Sequence, residues 1–255
     1  MATRWVPLVV WVHVVVLAGC AEPEDSPGTT ARPSSAPASS QPAAALPATA
    51  PADAALFPGD TLSGWRVSHW SGVHVPQHMP GKAWSIQGGV LRGLGKRTWL
   101  FSEAVYDDFV LTFDVKISRG ANGGIGLRFP PKGDPAYTGM ELQVVDHAVY
   151  YRGRSRPEQR TGSIYDEIAS TADAWIPPGQ WSTWRVTANG SRVTVEINSK
   201  RVLGADLSRE THPRQGKGPA LAKRPLAGRI GFQNLNGLIT FRNVRLQRLR
   251  RARQP

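Results

Sequence analysis

Residues Phe109 to Asp146 read FVLTFDVKISRGANGGIGLRFPPKGDPAYTGMELQVVD. Phe109, Leu111, Phe113, Val115 and Ile117 are apolar and, Val110 apart, the residues between them (Thr112, Asp114, Lys116) are polar. That alternation is the period of a half-buried strand. A Gly/Asn turn from Gly120 to Gly124 leads into a second strand, with Ile125, Leu127 and Phe129 on one face and Gly124, Gly126 and Arg128 on the other. After a Pro/Gly loop, a third strand turns Leu142 and Val144 inward and places Glu141 and Gln143 on the opposite face, because alternate side chains share a face. Neighbouring strands therefore offer Arg128, Glu141 and Gln143 beside bare glycines, which let a ligand approach the backbone. A solvated sheet face more often carries Lys, Thr and Glu. The stretch ends in Asp146-His147, two further groups suited to acid, base or metal work.

The same grammar continues on both sides. Folding is expected to begin near Leu56, with a turn at Pro58-Gly59-Asp60 and a loop from Arg66 to Lys82. That loop holds His69, His74 and His78, but its Gly/Pro content and lack of carboxylates argue for surface loop over metal site. Trp84 to Leu94 reads as a hairpin turning at Gly88-Gly89, and Leu100 to Tyr106 as a short strand or bend. Downstream come a basic loop from Tyr150 to Arg160, a strand from Trp181 to Ala188, a hairpin signal at Asn189-Gly190, and a strand burying Val193, Val195 and Ile197. A turn at Ser199-Lys200 precedes Val202-Leu203. Residues 206–225 are loop-like, with room for one helical turn. Gly228 to Gln233 puts Ile230 and Phe232 on one side and Gln233 on the other. In the last strand the apolar phase slips from Ile239 and Phe241 to Val244 and Leu246, which predicts a β-bulge at Arg242-Asn243. About a dozen short strands with turn signals roughly every ten residues, and no amphipathic helix, predict an all-β sandwich or jelly roll of two antiparallel sheets.

The chain has 255 residues and a formal net charge of +12. Its basic residues are dispersed, and no zinc spacing, RNP-like motif or helix-turn-helix pattern accompanies them, so no nucleic-acid partner is expected. A basic start and an apolar run from Trp5 to Leu17 close on Leu17-Ala18-Gly19-Cys20, which resembles a bacterial lipobox. Residues 1–19 are then a lipoprotein signal peptide and Cys20, the one cysteine, is the lipidated residue. Residues 20–54, nearly all Ala, Pro, Ser and Thr, read as a disordered tether whose ends sit about 30 Å apart. Residues 55–249 form the folded domain and 250–255 a basic tail. The expected location is the cell envelope, lipid-anchored. With no Asp after the cysteine, the expectation in a two-membrane bacterium is the outer membrane or periplasmic side.

Several motifs in order resemble the 3-keto-disaccharide hydrolase family. They are Leu56-Phe57 with Leu62-Ser63-Gly64-Trp65, Asp108 to Leu111, Gly120 to Ile125 through Arg128, Glu141 to Asp146, Gly162-Ser163-Ile164-Tyr165, Gly228 to Gln233, and Phe241 to Val244. The resemblance covers about Leu56 to Leu249 and implies a concanavalin A-like jelly roll acting on glycosides oxidised to a ketone at C3. The chain departs from the family at Gln233-Asn234-Leu235-Asn236-Gly237, where members often carry a histidine, and at Gln180-Trp181-Ser182, where many have Glu-Trp-Asn. The implied chemistry is removal of the acidified C2 proton, expulsion of the C1 group, and addition of water. On that basis Glu141 is the candidate base, and Arg128 either holds the developing oxyanion or pairs with Glu141. Gln143, Gln233 and Tyr165 would bind sugar over Gly124 and Gly126. Asp146 and His147 are candidates for acid work or for holding a divalent metal, the one cofactor such a site could take. The rival expectation is a carbohydrate-binding lipoprotein of the same fold without catalysis.

Overall fold

The computed structural model describes residues 53–69, 83–94, 97–212 and 217–249. The signal peptide, Cys20, nearly all of the tether, His74, His78 and the basic tail lie outside the described residues.

Thirteen strands are present among the described residues: β1 (Ala54–Ala55), β2 (Trp65–His69), β3 (Trp84–Gln87), β4 (Val90–Gly93), β5 (Thr98–Ser102), β6 (Phe109–Ile117), β7 (Asn122–Phe129), β8 (Met140–Val145), β9 (Ser182–Asn189), β10 (Arg192–Ile197), β11 (Lys200–Asp206), β12 (Arg229–Asn236) and β13 (Ile239–Arg248). Single helical turns, α1 (Pro135–Thr138) and α2 (His147–Tyr150), flank β8. One sheet runs β11-β10-β9-β6-β13-β4-β3, with β1 beside the second half of β13, and the other runs β2-β5-β12-β7-β8. The strand pairs are antiparallel. The fold is therefore the expected all-β jelly-roll sandwich.

The inward faces form one core. The alternating apolar residues of β6 are buried in it, as are Ile125, Leu127, Leu142 and Val144 from β7 and β8. Phe232 of one sheet meets Phe241 of the other with ring centroids 4.8 Å apart, and Phe113 stacks on Trp184 within the larger sheet. Each such ring contributes about 1.5–3 kcal/mol by leaving water. The bulge on β13 is where the phase slip put it: Asn243 takes φ 54° and the register against β6 shifts between Arg242 and Arg245. The Gly88-Gly89 hairpin forms as read, and both its amides donate to the Asp60 carboxylate.

Three local readings change. Trp65 to His69 is a strand rather than the start of a loop; Trp65 and Val67 are buried, but one short alternation among polar residues is a weak signal. The turn after β10 is Asn198-Ser199, both at positive φ, one residue before the expected place. The third change matters more. A second bulge interrupts β7 at Arg128, which takes φ 54°. Opposite it, Arg229 pairs with Phe129 while Gly231 pairs with Gly126, so Leu127 and Arg128 together face Ile230. Phe129 is thereby thrown to the outer face, where it packs with Trp99 and Phe101. An apolar residue at 129 suits either phase, which is why the alternation concealed the slip.

Candidate active site

The outer face of the five-stranded sheet has two halves. The Trp99–Phe101–Phe129 cluster closes one of them. The other is open, and its floor is set by register: Gly124 of β7 pairs with Gln143 of β8 on one side and with Gln233 of β12 on the other. Glu141 stands on the same face as Gln143. Its side chain lies across the glycine, since a Cβ on Gly124 would come within 2.2 Å of Glu141 Oε1. Tyr165 closes one wall. Glu141, Gln143, Gln233 and Tyr165 line a single cavity of about 420 Å³, within the range of small-molecule sites. Four of the expected residues are thus brought together, with Gly124 beneath them.

The remaining walls come from residues that no sequence pattern singles out. Asp134 caps α1 by accepting from the Ala136 amide and, with Tyr137, faces the cavity. Lys217 and Asn122 complete the polar lining and Leu235 adds an apolar patch. Tyr137 donates its hydroxyl to Asp166 Oδ2 at 2.9 Å, and Lys217 Nζ donates to the Tyr137 oxygen at 3.4 Å. Behind this wall, buried Arg224 donates to the carbonyls of Ala136 and Gly139 and pairs with buried Glu167, pinning α1 in place. Asp134, Tyr137, Asp166 and Lys217 sit on loops or single turns. They have no periodicity to reveal them.

Electrostatics mark Glu141 out. It is 4% exposed, and among the described residues no donor reaches its carboxylate. Burial, and then the carboxylates of Asp134 and Asp166, push its pKa well above the ordinary 4.5. A buried carboxyl with no fixed partner, facing a cavity, is a costly arrangement for stability alone. Around it the phenols of Tyr137, Tyr151 and Tyr165 are raised, first by burial, so they keep their protons at neutral pH and act as donors. Gln143 Nε2 donates to the Tyr151 hydroxyl at 3.3 Å. Gln143 Oε1 is buried without a partner and remains available as an acceptor.

The other expected site residues lie elsewhere. Arg128 is fully buried: Nε donates to the Asp107 carbonyl, Nη1 to the Gly190 carbonyl and Nη2 to Asp108 Oδ1 at 3.0 Å. The bulge turned it inward, and it ties β7 to the β9–β10 hairpin. Gly126 shares the outer face but is covered by Phe129 and Trp99. Asp146 accepts from the Gly120 amide at 2.9 Å and acts as a turn cap. His147 lines a separate cavity with Arg160 and Asp173, and burial lowers its pKa. Asp146 and His147 are thus not part of the Glu141 pocket. No group of three or more His, Cys, Asp or Glu side chains converges among the described residues. With Asp146 committed to a turn and His147 facing another cavity, this pair does not fit a divalent metal.

The comparisons with known proteins agree with this architecture. Crystal structures of provisionally named glycosyl hydrolases from Parabacteroides distasonis ATCC 8503 are similar. One is 25% identical over 72% of this chain and 99% of its own, with a TM-score of 0.62. A second, at 23% identity over 78% and 94%, has a TM-score of 0.64 and supports the fold. No curated protein matches the chain. The profile of the 3-keto-alpha-glucoside-1,2-lyase-like domain matches residues 53–247, nearly the whole described sandwich, and the chain belongs to that family.

Proposed function

We propose that the protein is a hydrolase-type enzyme that cleaves 3-keto-glycosides, with Glu141 as the base that takes the C2 proton. The observation that carries this reading is the buried, unpartnered Glu141 carboxyl on the pocket floor. Its raised pKa makes the ionised form a stronger base, suited to a proton acidified by the neighbouring ketone. As that proton leaves, charge develops on the C3 oxygen. Lys217, a cation on the cavity wall, takes the oxyanion role that the sequence pattern suggests for Arg128. The electron pair then forms the C1–C2 double bond and expels the C1 oxygen. Tyr165, which keeps its proton at neutral pH, donates to that oxygen. Water adds its hydroxyl to C1 and its proton restores Tyr165, while Glu141 returns a proton to C2, so the sum is hydrolysis and both residues are regenerated. Gln143, Gln233 and Asn122 hold sugar hydroxyls, and the bare Gly124 lets the ring lie against the sheet.

The test compares a 3-keto-glucoside with its unoxidised parent. The purified protein releases sugar from the keto form alone. Absence of release from several 3-keto-glycosides that nevertheless bind would replace this reading with a binding protein. The Gln233-Asn234-Leu235-Asn236-Gly237 segment, which lacks the histidine that the family resemblance implies near Asn236, would then explain the loss. We further propose that the enzyme works at the cell envelope, tethered through Cys20. The Leu17-Ala18-Gly19-Cys20 motif supports this.

A further inference from the structure

A larger cavity, about 910 Å³, opens beside the Glu141 pocket, and Asn122, Tyr165 and Leu235 line both. Its character is different. The first cavity carries two carboxyls, Glu141 and Asp134, against one cation, Lys217. The second is lined by Arg97, Arg119 and Arg152 and, among the described residues, by no Asp or Glu. These arginines come from three separate places: the β4–β5 connection, the β6–β7 turn and the residues after α2. All three are exposed. Arg119 and Arg152 make no ion pair among the described residues. Arg97 and Arg152 take φ 60° and 51°, a left-handed conformation that long side chains adopt at a cost, and such strain gathers at functional sites. Tyr150 and Tyr151 meet edge to face, with centroids 4.9 Å apart, on the same wall.

We infer that this cavity is the leaving-group subsite and selects aglycones that carry an anion, such as a carboxylate, on an aromatic ring; the inference rests on reading the Glu141 pocket as the sugar site. The unneutralised guanidinium groups of Arg119 and Arg152 favour an anion, and a planar carboxylate matches their donor geometry. The tyrosine rings offer faces and edges for an aromatic group. Tyr165 stands where the two cavities join, which is where the bond between sugar and aglycone would lie. The charge asymmetry also fixes orientation. At the sugar end Asp134 and Glu141 outnumber Lys217, while at the other end only the arginines meet an anion.

The test uses the full-length protein and two ligands that differ by one group, phenyl glucoside and 4-carboxyphenyl glucoside, measured by calorimetric binding in both anomeric forms. The carboxylated ligand binds about 10-fold more tightly, the magnitude of one charge-assisted pair in a cleft. This ratio falls close to one in the Arg119→Ala/Arg152→Ala double variant and in high salt. It persists in Arg185→Ala, which removes an exposed charge from the other sheet. Equal affinities in the wild-type protein, or a preference that survives the double variant, would overturn the subsite. The 3-keto forms of the same pair report separately on the chemistry. Cleavage of both at equal kcat/KM refutes the anion preference and keeps the glycoside-cleaving reading. Cleavage of neither, with the binding preference intact, refutes that reading and leaves the anion site standing.

Discussion

The raised pKa of Glu141 makes opposite demands on stability and function. Because the folded state holds this proton more tightly than the unfolded chain, its contribution to stability is full below the ordinary carboxylate pKa and is lost as pH rises through the folded value. Glu141→Gln should therefore melt higher than the wild-type protein near neutral pH, with the gap closing as pH falls toward 4.5, the ordinary carboxylate value. The same variant should lose at least about 100-fold in kcat, the lower range for a removed general base, while still binding substrate. Thermal melts across pH and single-substrate kinetics check both. The acid limb of kcat/KM should also fall at a pH above 4.5. Gly124→Ala tests the floor: its Cβ would press into the Glu141 carboxyl, and displacing a catalytic group by about 1 Å costs on the order of 100-fold in kcat. Gly126→Ala meets Phe129 and Trp99 instead, so its effect should appear in stability, at about 1–3 kcal/mol, more than in the chemistry. Glu141, Gln143 and Gln233 are legible in the sequence because period two assigns a face to each residue of an uninterrupted strand. Asp146 is ambiguous because a carboxylate after a strand serves a turn as readily as a reaction, and here it serves the turn.

At the scale of elements, bulges decide what a sequence discloses. The slip in β13 is readable because apolar residues mark both phases, Ile239 and Phe241 before it and Val244 and Leu246 after it. The slip in β7 is not, since one aromatic residue at 129 satisfies the old phase and the new one alike. Strict alternation consequently places Arg128 in the site, whereas it is the buried tie between β7 and the β9–β10 hairpin. Removing one partner of a buried ion pair strands the other, at about 3–5 kcal/mol. Arg128→Ala should therefore lower the denaturant midpoint strongly, and whatever protein remains folded should keep its turnover per folded molecule. A loss of turnover without loss of stability would return Arg128 to the mechanism. The pocket wall is illegible for a different reason. Asp134, Tyr137, Asp166 and Lys217 come from segments without periodicity, gathered by Arg224 through long-range bonds to Ala136, Gly139 and Glu167.

The described sandwich carries its site on the outer face of the smaller sheet. Its net charge of +12 does not call for nucleic acid; three of its basic residues line one cavity beside the proposed reaction site. If the Cys20 anchor operates, Cys20→Ser should move the protein from the membrane fraction to the soluble fraction without altering its kinetics, as fractionation and assay together would reveal. The proposed cleavage runs through the C2 proton, and everything assigned to Glu141 depends on that. The most direct measurement follows the sugar released from a 3-keto-glucoside in deuterated water, at early times and against an enzyme-free control. Elimination and hydration install deuterium at C2 wherever the proton on Glu141 exchanges with solvent before it is returned, and product release collapses in Glu141→Gln. Product that keeps its original C2 hydrogen and is released at an undiminished rate by Glu141→Gln would mean direct displacement at C1, and would contradict the assignment of Glu141 as the base.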